Sequence, residues 1–119
     1  ALGQARAALT GMRGVLSERG ELAEPIEALE ESWRQCWTDL IALAEGAPGA
    51  ASAASIRARA NGLATRITQA WLATRKGSGF LLTDPAQRWA RQALMFLVWS
   101  CPSPVASASI RDLAGICPV

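Results

Sequence analysis

The chain has 119 residues, half of them hydrophobic and 18% charged, with a formal net charge of +2. That length suits one ordinary domain, and so apolar a composition excludes a disordered tail. Histidine is absent, which removes the commonest general base and transition-metal ligand, and with them Ser-His and Cys-His nucleophile systems.

Alanine, the best helix former, is abundant, and the apolar spacing follows it. Leu2, Ala5, Leu9, Met12 and Leu16 alternate steps of three and four, which predicts an amphipathic first helix ending near Gly20. Gly11 and Gly14 weaken it and suggest a close backbone neighbour. In the second helix Pro25 suits the first turn. That helix carries Ile26, Leu29, Trp33, Cys36, Leu40 and Leu43 on one stripe, widened by Trp37 and Ile41, and stops at Gly46–Gly49.

Residues 50–55 contain only Ala and Ser and read as a linker leading to a serine N-cap. Ile56, Ala60, Leu63, Ile67, Ala70 and Trp71 mark a third helix, with Asn61-Gly62 a turn signal inside it. Residues 76–79, Lys-Gly-Ser-Gly, break it. Asp84-Pro85 with Gln87 resembles a capping box opening a fourth helix, which runs to about Ser100, where the proline-rich residues 101–104 stop it. Ser109 and Asp112 signal a short last helix through Ile116. Phe80–Leu82 is the sole strand-like stretch and is too short to build a sheet. The expected fold is all-α, a single domain over 1–119: an antiparallel four-helix bundle with a short extra C-terminal helix.

The longest apolar run, Ala93–Trp99, has seven residues, against roughly 20 for a membrane-spanning helix, so the chain reads as soluble rather than membrane-spanning. No basic start followed by an apolar segment suggests a signal peptide. The start at Ala1 fits a mature product or an excerpt of a longer protein equally well. Nothing in the sequence names a compartment.

No catalytic residues, metal ligands or cofactor are expected. Cys36, Cys101 and Cys117 lack CxxC spacing. An odd count argues against a full disulfide framework, although Cys101 and Cys117 flank the last predicted helix and could be bridged. The Cys-Pro pairs at 101 and 117 occur where thiolates ligate haem, but helix stops by proline explain both. Glu24, Glu27, Glu30 and Glu31 read as a solvated acidic face rather than a metal site, because later helices supply arginine instead of further acids. The basic, glycine-rich 75–79 segment lacks the order of a phosphate loop.

Two signals rise above this background. From Glu18 to Glu45 eight acids face two arginines, a net −6, while from Arg57 to Arg91 seven bases face Asp84, a net +6. These flanks either pair off within the fold or leave a basic side that steers an acidic partner. The second signal is five Trp and a run, Ala93–Trp99, that is apolar around its whole circumference. Something must cover both of its sides; the last helix, with Ile110, Leu113 and Ile116, is the expected cover for one.

The expected function is a non-catalytic protein–protein interaction module working through the fourth helix, with Arg88, Trp89, Arg91, Phe96 and Trp99 as contact residues. The expected partner is another protein or a second copy. The alternatives are a pocket for an apolar small molecule or lipid near Trp71, Trp89 and Phe96, and a tip of Arg75, Lys76 and Phe80 that binds an anion or an anionic membrane surface. That tip more simply packs back on the bundle. Nucleic acid is not expected: helix two would repel phosphate, and no DNA-binding motif is present.

Overall fold

A computed structural model describes residues 1–116, and every described element is helical. Five helices pack compactly: α1 (Leu2–Arg13), α2 (Ala23–Ala44), α3 (Ala53–Arg75), α4 (Pro85–Val98) and α5 (Ser103–Leu113), with 3₁₀ turns at Gly20–Leu22 and Lys76–Phe80. Cys117, and with it any bridge to Cys101, lies outside the described residues. Among the described residues Cys36 and Cys101 are free thiols, and burial pushes the Cys36 thiol pKa up.

The architecture is organised around α3, which packs against each of the other four helices. Ser55, Ile56, Ala58 and Ala60–Thr65 are all buried on it, so it lacks a polar face along much of its length. Small side chains make this work, because they let neighbouring backbones close in from several directions. At Gly62 an added Cβ would sit 2.0 Å from the Asp112 carboxylate on α5. The Asn61-Gly62 pair is therefore no turn: Gly62 admits α5, and the Asn61 amide donates to the Phe96 carbonyl of α4 at 2.8 Å.

Around this hub, α1 buries Leu2, Ala5, Ala8, Leu9 and Met12, the stripe read from its spacing. On α2, Ile26 and Cys36 are buried, with Leu29, Trp33, Leu40 and Leu43 packed against the core. Gly11 on α1 lies against a ring rather than a backbone, since its missing Cβ would meet the Trp71 indole at 2.7–2.9 Å.

Three boundaries differ from expectation. The first helix stops at Arg13 rather than near Gly20, and Val15, Leu16 and Glu18 donate to carbonyls three residues back in a tight run of turns. α3 begins at Ala53 because Ser52 is the N-cap, its hydroxyl accepting from the Ser55 N–H at 3.2 Å. The last helix starts at Ser103 and ends at Leu113, and Ser109 is a buried mid-helix residue rather than a cap. Pro104, read as a stop, occupies the first turn, where a missing N–H costs nothing.

The acidic and basic segments pair only in part. Asp39 of α2 accepts from Arg59 of α3 at 2.6 Å, whereas Arg66 reaches Asp112 on α5 at 3.2 Å and Arg75 reaches Asp84 at 2.7 Å. Glu30, buried on α2, is gripped by both arms of Arg13 and lies 3.9 Å from Arg6. These α1 arginines hold its carboxyl below the ordinary carboxylate range, the Arg13 hydrogen bonds being the larger cause. A depressed carboxylate stabilises the fold above its unfolded pKa, near 4.5, and that stability is lost as pH falls further through the folded value. Denaturant titrations should thus show wild type losing stability below about pH 4.5. Glu30→Gln should lower neutral-pH stability by about 1 kcal/mol, a figure reduced for the solvent around Arg13, and should flatten that acid slope.

Candidate functional site

The sequence of α4 fixes both its start and its orientation. Asp84 caps it, Oδ1 accepting from the Ala86 N–H at 2.9 Å and Oδ2 from Arg75 Nε at 2.7 Å, with Pro85 in the first turn. Those bonds, the Ala86 one foremost, lower the Asp84 pKa. At the other end Asn61 holds the Phe96 carbonyl, and Arg57 Nη2 holds the Trp99 carbonyl at 2.7 Å. Two α3 side chains thereby occupy carbonyls that a helix end leaves without partners.

Between these anchors Ala86, Ala90 and Ala93 form the buried face toward α3, with Trp89, Phe96 and Leu97 half-buried on its flanks. Because alanine takes the inner positions, the large side chains of the apolar run point outward. Leu94, Met95, Val98 and Trp99 are exposed, Val98 at 75% and Trp99 at 66%. The cover expected from the last helix is missing: α5 packs on α3 through Val105, Ala108 and Ser109. Its own Ile110 and Leu113, with Ile116 just beyond it, are exposed as well.

Arg88 and Arg91 lie one turn N-terminal to that patch, both exposed, and have no ion pair or hydrogen bond among the described residues. At about 100° per residue, Arg88, Arg91, Met95 and Val98 fall on one side of α4. Of the five suggested contact residues, Arg88, Arg91 and Trp99 share the solvent side; Trp89 and Phe96 sit at its inner edge.

The suggested apolar-pocket residues are not brought to one place. Trp71 is buried and packs on Trp89 with ring centroids 4.9 Å apart, which leaves no ligand space between them. Phe96 is two turns further along α4 and lines a different groove, bounded also by Leu40, Leu43, Ile56, Ala60 and Trp99. The remaining tryptophans occupy α2. Trp33 stacks on Trp37 at 5.6 Å, donates its indole N–H to the Leu2 carbonyl and carries Arg6 over its ring. Trp37 itself is exposed.

The α3–α4 tip does not fold back on the bundle. Phe80 is 75%, Leu81 59% and Leu82 94% exposed. Gly79 is the residue that packs, its missing Cβ falling 2.7 Å from a Leu72 methyl. Arg75 is engaged by Asp84, and Lys76 is exposed beside the apolar trio.

Among the described residues no three His, Cys, Asp or Glu side chains gather as a metal site would require, and no helix is long and apolar enough to cross a membrane. Sequence reasoning missed Arg57 and Asn61 as structural anchors of α4. Arg57 was visible only as part of a basic segment, and Asn61 only as half of a turn signal. Compared with known proteins, the chain matches no family model, no curated protein and no solved structure at a significant level.

Proposed function

We propose that this chain is a non-catalytic helical interaction module that docks another protein on the outer side of α4. The observation that carries the reading is one continuous strip of Leu94, Met95, Val98 and Trp99, bare to solvent and led by two arginines without acid partners among the described residues. Monomeric proteins rarely leave such contiguous apolar surface unused. The complementary partner is an amphipathic helix with an apolar stripe and acidic residues at one end. Trp99 and Met95 would supply buried area, and Arg88 and Arg91 the orientation and the rate of encounter. The antiparallel order expected for the first four helices belongs to the same proposal, supported by the short connections between them.

A photo-crosslinking residue at Met95 should capture the partner, which can then be purified and its affinity measured. Arg88→Glu with Arg91→Glu is expected to weaken that affinity at least tenfold and to remove its salt dependence, and Trp99→Ala to weaken it comparably, in proteins with wild-type circular dichroism. Unchanged affinity in these variants would remove the assignment.

The exposed Phe80–Leu82 tip beside Lys76 favours a second reading, peripheral contact with an anionic membrane surface. Co-sedimentation with phosphatidylserine-containing vesicles, weaker with pure phosphatidylcholine and lost in Leu82→Asp, is the expected result. No sedimentation with either vesicle would end that reading.

A further inference from the structure

The groove at the C-terminal end of α4 has a volume of about 380 Å³, inside the range of roughly 300–1,000 Å³ typical of small-molecule sites. Its walls come from four helices: Leu2 at the start of α1, Leu40 and Leu43 of α2, Ile56 of α3, and Phe96 with Trp99 from α4 and its cap. The polar side chains lining it are Arg57 and Asn61, and the Asn61 amide is already committed to the Phe96 carbonyl. Arg57 donates one Nη2 bond to the Trp99 carbonyl and has no carboxylate partner among the described residues. A guanidinium carries five N–H donors, so most of them, and the whole charge, remain available at the edge of an apolar cleft.

We infer that this groove is a binding site for a free, single-chain apolar carboxylate, with the alkyl body between Leu40, Leu43, Ile56 and Phe96 and the carboxylate on Arg57. Charge complementarity selects the head: a neutral alcohol would leave the guanidinium uncompensated, and a cationic amphiphile would meet like charge. Apolar walls select the tail, since each further buried methylene strengthens binding by about fourfold. Guanidinium–carboxylate pairing adds directional, charge-assisted hydrogen bonds. The site is separate from the α4 docking strip, sharing only Trp99 with it, so either can fail without the other.

Isothermal titration calorimetry with octanoate, nonanoate and decanoate, each below its micelle concentration, tests the inference, with decanol and decyltrimethylammonium as head-group controls. The expected result is one site per chain, tightening about fourfold per methylene, with decanol at least tenfold weaker than decanoate. Decyltrimethylammonium should not bind, and decanoate should shift tryptophan emission to the blue as Trp99 is covered. Arg57→Gln should bring decanoate down to the level of decanol, while Arg57→Lys retains the preference for the acid. Should Arg57→Gln fail to fold, the head-group comparison on wild-type protein decides alone. No saturable heat from decanoate, equal binding of decanoate and decanol, or a folded Arg57→Gln that binds decanoate as wild type does would each overturn it.

Discussion

Trp71→Ala should cost about 3–5 kcal/mol of stability, the range for removing a buried aromatic ring, and should be the most damaging single truncation among the aromatic residues. Its ring is buried, packs on Trp89 of α4 at 4.9 Å and fills the space over Gly11 of α1. Truncation therefore opens a void where three helices meet. The reciprocal change is informative. Gly11→Ala gains up to about 1 kcal/mol of helix propensity but drives a methyl to 2.7 Å from a rigid indole, and overpacking of that kind costs about 1–3 kcal/mol. The expected balance is a net loss of about 1 kcal/mol in wild type, becoming neutral or stabilising in a Trp71→Phe background, where the ring atoms in conflict are gone. Denaturant unfolding of the four proteins reads this coupling. Simple additivity would show that Gly11 and Trp71 do not share the space.

Asn61→Ala is expected to cost about 1–3 kcal/mol, the penalty for leaving a buried partner without its hydrogen bond. The side chain is buried, and its amide holds the Phe96 carbonyl at 2.8 Å, two residues before α4 ends. The loss should be local before it is global. Amide exchange should accelerate at residues 96–100 at denaturant concentrations that leave α2 protected. A uniform change across the chain would place the role of Asn61 elsewhere.

Much of the helical pattern was legible because burial writes a period of three to four into large apolar residues. Ile26 to Leu43 showed this on α2, and Asp84-Pro85 announced the start of α4, although the structure forms the Asp84 cap on the Ala86 N–H and sends the Asp84 N–H to the Leu81 carbonyl rather than to Gln87 as a capping box would. The hub role of α3 was not legible. A helix buried on several sides by Ala, Ser, Thr and Gly has little contrast between faces, so its stripe looked like that of an outer helix. Pro104 was misread because proline ends a helix from within and favours one from its first turn, and the residue type alone does not say which. The run from Ala93 to Trp99 announced a surface in need of cover, but the cover expected from the last helix is absent. Which side stays bare depends on α5 choosing α3, and that choice rests on Gly62 and Asp112, fifty residues apart. Of the groove the sequence pointed only to Phe96, since its other walls come from helices distant in the chain.

The two methionines give the most direct measurement of whether the outer side of α4 is open. Met12 is buried at 3% exposure, and Met95, at 58%, stands in the middle of the proposed docking strip. Dilute hydrogen peroxide converts accessible methionine to the sulfoxide, and peptide mapping follows both residues in one sample. Met95 should oxidise near the rate of a free methionine while Met12 stays largely intact until the protein is unfolded. Equal rates in the folded protein, or a protected Met95 beside an oxidised Met12, would contradict the arrangement on which the α4 docking surface rests.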